Sequence, residues 1–183
     1  QPSYTENDVL GLMGNTGHSF GRHLHLSLLN QSGRESINPL TALPALTDTR
    51  APEILYFYVR IGEKYVRLND NSDIRLTQHY PLLVEIKDSI TGRENLGIYR
   101  IRVLFNGQEF INTDFKAIGF SQNNLKVQKY SYQDIFDEKG YYKISGIQYQ
   151  EGLNTAVVQA ADFYGNSVEK TFNINVKLDL AAN

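Results

Sequence analysis

Gly97-Ile-Tyr-Arg-Ile-Arg-Val-Leu-Phe-Asn-Gly-Gln-Glu-Phe-Ile111 decides the fold class of this chain. Polar and apolar residues alternate into Asn106-Gly107, the dipeptide that favours a two-residue hairpin turn, and resume beyond it. The stretch reads as a strand from Gly97 to Phe105, a turn over Phe105 to Glu109, and a second strand from Glu109 to Ile111. The same signature recurs on both sides. Ile54 to Ile61, Lys64 to Leu68, Leu82 to Lys87, Lys126 to Ser131, Tyr142 to Tyr149, Thr155 to Ala161 and Val168 to Val176 read as strands. Asp162-Phe163-Tyr164-Gly165-Asn166 reads as a second hairpin turn, and Pro81 sits just before a strand, where its missing N–H does least harm. No longer stretch holds a helical pattern, although Ser131 to Asp137 suits a single turn. Short strands spaced by roughly 10 residues predict an all-β protein with a β-sandwich over residues 53–178. Residues 44–52, bounded by Pro44 and Pro52 and without periodicity, read as a linker.

The bulk numbers exclude several classes. The 183 residues carry 18 basic and 20 acidic side chains, a formal net charge of -2, and no long run of one sign. Nothing there supports nucleic-acid binding or strong membrane attraction. No apolar stretch approaches the length of a membrane span. Cysteine is absent, so no disulfide staples the fold. The 12 Tyr and 9 Phe, with no Trp, suit twisted antiparallel sheets. The opening Gln1-Pro2-Ser3-Tyr4 has neither Met nor a signal segment, which is expected of a processed or excised piece.

Residues 1–43 carry the chemistry. Val9 to Met13 is a short apolar run suited to a strand, and Gly14-Asn15-Thr16-Gly17 is turn chemistry. His23-Leu24-His25-Leu26-Ser27-Leu28-Leu29 then alternates. In a strand, His23, His25 and Ser27 face one side and Leu24, Leu26 and Leu28 the other. Two histidines on one face can share a centre, one ring binding Zn²⁺ and the other contacting the attacking water or the developing oxyanion. Gly17 and Gly21 would let the preceding loop approach the site closely or take positive φ. A block this short cannot own a good core and should need a partner. Pro39 restricts Asn38 to an extended conformation, so Ile37-Asn38-Pro39-Leu40 reads as an irregular closing segment.

Gly11-Leu-Met-Gly14-Asn-Thr-Gly17-His-Ser-Phe-Gly21-Arg-His23-Leu-His25-Leu-Ser-Leu28 resembles the C-terminal signature of the lysostaphin/LytM-type zinc endopeptidases, and Asn38-Pro39 resembles their closing segment. The resemblance implies cleavage of peptide bonds in bacterial peptidoglycan and a place in the cell envelope, periplasmic or on the outer surface, after export. It implies that His25 is a zinc ligand. His23 would orient the water or stabilise the oxyanion, and Asn15, Thr16, Gly17, Ser19 and Gly21 would form the substrate-binding loop. The other zinc ligands would come from an upstream His-x-x-x-Asp segment, which the 22 residues before His23 do not contain. A catalytic zinc needs about three protein ligands, so this chain alone is expected to be inactive. The upstream half of the peptidase would be its partner, either in one continuous protein or as a separate chain. A non-catalytic wall-binding or hydrolase-activating protein with a degenerate peptidase domain is the alternative. Leu26 and Ser27 depart from the aromatic and acidic residues usual in the family. His18, on the loop, is a poor substitute ligand.

In the second block, Asn154 to Val176 resembles the last hairpin of bacterial immunoglobulin-like domains. Asp88 to Phe105 resembles the middle strands that follow such peptidase domains in envelope proteins of the Bacteroides group. Asp70-Asn71-Ser72-Asp73 offers oxygens for Ca²⁺ but lacks the spacing of an EF-hand loop, and reads as a solvated turn. Tyr130, Tyr132, Tyr141, Tyr142 and Tyr149 suit either a saccharide- or peptide-binding face or, more simply, core and half-exposed sheet positions. His79 reads as a surface residue.

Overall fold

The computed structural model describes residues 3, 5–15, 21–22, 26–43, 47–90, 96–121 and 124–180. Among these, the first strands are β1 (Leu28–Leu29), β2 (Glu35–Ile37), β3 (Glu53–Ile61), β4 (Lys64–Leu68) and β5 (Ser72–Leu76). Next come β6 (Leu82–Lys87), β7 (Arg100–Phe105), β8 (Gln108–Asp114), β9 (Ala117–Ser121) and β10 (Asn124–Val127). β11 (Tyr130–Ser131), a helical turn α1 (Tyr132–Ile135), β12 (Tyr142–Ile144), β13 (Gly152–Ala161) and β14 (Ser167–Leu178) complete the order.

The protein is all-β, with three sheets. One has the order β12-β6-β3-β4, the second β5-β14-β13-β7-β8 and the third β1-β2-β9-β10-β11. Every pairing is antiparallel except that of β5 with β14. The first two sheets pack face to face over one apolar core. Phe57 of β3 stacks on Phe172 of β14 with ring centroids 4.2 Å apart. Alternation puts Ile101, Val103 and Phe105 of β7, Ala156, Val158 and Ala160 of β13, and Phe172, Ile174 and Val176 of β14 into that core. β3 breaks step: Ile54, Phe57 and Val59 are all buried, because a bulge between Ile54 and Tyr56 shifts the phase of the strand.

The deciding hairpin forms as its sequence predicts. Phe105 pairs with Gln108, and Asn106 and Gly107 take φ of 48° and 80°, the positive values that a type I′ turn requires. The fully buried Asn154 locks this turn to β13. Its Oδ1 accepts from Asn106 Nδ2 at 2.9 Å and from Gln150 N at 2.8 Å, while its Nδ2 donates to Gln150 O and Gly152 O. The Asp162–Asn166 turn closes β13 onto β14, with Gly165 at φ 94°.

Several elements differ from the sequence reading. Lys126 to Ser131 is two strands, β10 and β11, divided at Gln128, whose φ is 55°. Ser72 to Leu76 is strand β5. Asp70 pins the turn before it by accepting from Asn173 N at 2.7 Å, and Asp73 accepts from Asn175 Nδ2 at 2.7 Å. Val9 to Met13 forms no strand, and the predicted strand of residues 23–29 is, among its described residues, only Leu28–Leu29.

The third sheet joins the two blocks. β2 pairs with β9 through Glu35↔Gly119, Ser36↔Ile118 and Ile37↔Ala117, so main-chain hydrogen bonds cross the expected 44–52 linker. Asn38 N donates to Lys116 O at 2.9 Å beside this seam. Asn38 is extended, at φ -56° and ψ 117°, and its Oδ1 caps the one-turn 3₁₀ helix Pro39–Thr41 by accepting from Leu40 N.

Candidate functional site

His23, His25, Thr16, Gly17 and Ser19 lie outside the described residues, as does His18. Asn15 and Gly21 are described, and both are exposed. A Cβ at Gly21 would meet nothing within 4 Å. The approach to the histidine run is apolar and open to solvent. Val9, Leu10, Leu12 and Met13 are all exposed, and Leu26, expected on the buried face, is 49% exposed.

The segment on the far side of the run is well fixed. Asn30 organises the β1–β2 turn: its Oδ1 accepts from Ser32 Oγ, Arg34 N and Glu35 N, and its Nδ2 donates to Glu35 Oε2 at 2.9 Å. Gly33, at φ 68°, completes the turn. Beside this hairpin an open groove of about 580 Å³ runs over the third sheet, with Arg34, Glu35, Asp114, Lys116, Lys126 and Gln128 along it. Its charges are of both signs, and part are used internally, since Gln128 Nε2 donates to Asp114 Oδ1 at 3.3 Å.

Among the described residues, no group of three or more His, Cys, Asp or Glu could hold a metal ion.

The tyrosines expected either on a binding face or in the core divide between core and surface. Tyr142 and Tyr149 are core residues, Tyr130 packs partly against the core, and Tyr132 is exposed. Burial pushes the Tyr142 phenol up to about 12, and burial raises Tyr149 strongly. Tyr141 stacks on Tyr58, parallel and 5.0 Å between centroids. Burial first, and then the hydrogen bond that its hydroxyl donates to Glu85 at 2.9 Å, raise Tyr58 strongly. Tyr65 and Tyr56 extend this patch over the outer face of β3 and β4, with Lys139 over Tyr65 at 3.9 Å and Arg67 over Tyr56 at 4.7 Å. A second groove of about 530 Å³, lined by Tyr80, Tyr132, Phe136, Gln78, Gln133 and Lys143, lies at the α1 end of the same sheet.

His79 is not a free surface residue. It is half-buried, its Nδ1 accepts from Tyr149 N at 3.0 Å, and its ring lies parallel to that of Tyr149. Sequence reasoning also missed the burial of three carboxylates, Asp88, Asp137 and Asp162. The only signals were the place of Asp162 at the start of a hairpin turn and that of Asp88 at the end of an apolar strand.

These features define an all-β protein of several antiparallel sheets. One family profile, whose description names no activity, matches residues 52–177, and the chain belongs to that family. No curated protein matches the chain. A solved structure, dimeric latent PorU from Porphyromonas gingivalis, is similar over 73% of this chain at 17% identity and a TM-score of 0.39. The chain spans 11% of the length of that protein, and a likeness this low assigns neither fold nor activity.

Proposed function

We propose that residues 1–43 are the C-terminal end of a lysostaphin/LytM-type peptidase sheet and that the intact protein is a zinc-dependent endopeptidase acting on bacterial peptidoglycan in the cell envelope. In this reading, residues 53–178 form an immunoglobulin-like accessory sandwich. The observation that carries it is the Gly11–Leu28 run, with five spaced positions, Gly14, Gly17, Gly21, His23 and His25, in the family's order. The exposed Val9, Leu10, Leu12 and Met13 support it, since four apolar side chains in a row of five call for a partner surface.

His25 is assigned as a zinc ligand and His23 as the group that hydrogen-bonds the attacking water or the oxyanion. Asn15, Thr16, Gly17, Ser19 and Gly21 are assigned to the substrate-binding loop. Zinc, when bound, would supply Lewis acidity toward the peptide carbonyl. The remaining ligands belong to an upstream segment in this proposal.

Elemental analysis of the longest natural form, beside its His25→Ala variant, tests the reading. About one zinc per chain, lost on substitution, is the expected result. A metal-replete protein without zinc would defeat it and leave the wall-binding or hydrolase-activating alternative.

A further inference from the structure

We propose that Asp88 and Asp162 form a binding site for a hard divalent cation, calcium foremost, at the end of the sandwich where β6 leaves, β13 turns into β14 and the Asp48 segment passes. Asp88 is 6% exposed, and its Oδ1 has no hydrogen-bond partner. Asp162 is 2% exposed. Its Oδ1 accepts from Asn166 N at 2.9 Å and its Oδ2 from Asn166 Nδ2 at 2.7 Å, which leaves lone pairs on both oxygens. The same Asn166 amide donates to the Asp48 carbonyl at 3.1 Å and so draws a third chain segment to the place.

The main chain brings the two residues to one end of the sandwich. Leu96 N donates to Asp88 O at 2.8 Å, and three residues on, Tyr99 N donates to the carbonyl of Ala161, the neighbour of Asp162, at 2.8 Å. Among the described residues, none of Asp48, Asp88 and Asp162 is in an ion pair. Burial, and after it the charge of Asp162, push Asp88 upward, against a hydrogen bond that its carboxylate accepts from the Ser89 main chain.

The donors are oxygens only, which suits calcium and disfavours a thiolate- or imidazole-seeking metal. No three acidic side chains converge among the described residues. Main-chain oxygens and water would complete the shell, an arrangement that the 6–8 oxygen ligands of calcium commonly adopt. The Asp70–Asp73 turn is no rival, because its carboxylates are exposed as well as bonded to β14.

Thermal unfolding and titration calorimetry of the full chain with calcium chloride test the site, with magnesium and sodium chloride at matched ionic strength for comparison. Calcium at about a hundredfold excess over its Kd should raise Tm by about 5–10 °C, with about one ion bound per chain. Asp88→Asn should abolish the rise while its calcium-free Tm equals or exceeds that of the parent. Asp73→Asn should keep the rise. No calcium response in the parent chain, or a response that survives Asp88→Asn, would overturn the proposal. Should Asp88→Asn not fold, the carbon-13 carboxyl shift of Asp88 in the parent chain decides: movement with calcium supports the site, and none overturns it.

Discussion

Leu12, on the approach to the histidine run, is 99% exposed, whereas Val59 of β3 is fully buried. The two are comparably apolar, and each sits in an apolar run. They differ in what surrounds them. Val59 has β6 and β4 as neighbours within its sheet and a second sheet across the core, so its hydrophobicity becomes stability. Val9 to Met13 has none of these and contributes nothing of the kind to the described structure. Apolar sequence is a demand for a partner. Where the same chain meets the demand, a fold results. Where it does not, the sequence points to something that must be brought to it.

The largest effect should come from the met demand. Phe57→Ala removes a ring stacked on Phe172 and should cost about 3–5 kcal/mol in urea unfolding. Leu12→Ala should change stability by less than about 0.5 kcal/mol in this chain. If the unmet demand is answered by an upstream segment, Leu12→Ala should become costly once that segment is joined. An equal indifference there would break the comparison.

Asn154→Ala comes next. It removes the four hydrogen bonds that the buried Asn154 amide makes with Asn106, Gln150 and Gly152, for a loss of about 2–4 kcal/mol. The loss should appear as a lowered urea midpoint, and a neutral result would mean that the turn holds without its buried clasp.

The third test uses pH. The Tyr142 phenol stands near 12 in the fold against an ordinary value near 10, because burial disfavours the phenolate. The stability it contributes is therefore complete below pH 10 and is lost as pH rises from 10 through 12. About 2–3 kcal/mol should disappear over that interval, and Tyr142→Phe should flatten that part of the alkaline profile. Burial raises Tyr149 in the same direction, so the parent chain should fall more steeply than Tyr142 alone dictates.

The smallest effect has the opposite sign. The Tyr149 hydroxyl is buried with no hydrogen-bond partner. Tyr149→Phe should leave Tm unchanged or raise stability by about 1 kcal/mol. A clear loss would show that the hydroxyl is satisfied.

The two regions were also legible in different ways. In the sandwich, alternation and turn residues are local signals, and they placed β3, β4, β6, β7 and the Asn106-Gly107 turn closely. β5 was hidden because Asp70-Asn71-Ser72-Asp73 is turn chemistry, and its pairing is with β14, about a hundred residues away. β9 was missed as well: Ile118 and Phe120 alternate, but the strand is short, interrupted by Gly119, and pairs with β2, about 80 positions away, as well as with β10. The Ile54 phase shift needed the bulge to explain it. At the candidate site the situation reverses. The proposal for the Gly11–Leu28 run rests on the order and spacing of its residues, while its apolar surroundings could not be placed, because a strand is fixed by its neighbours. That Asp88 and Asp162 lie at one end of the sandwich was invisible in sequence, since proximity across 74 positions leaves no mark in spacing.

The pairing of β2 with β9 has a mechanical consequence. Its three residue pairs span 80 to 84 positions of chain, so this seam can close only after β9 has been laid down, which makes it a late event in folding. It is also short. A seam of three pairs can peel while the core stays shut, so the hairpin behind the histidine run would open as a unit. Its amides, Ser36 and Asn38 among them, should exchange with solvent well before those of β13.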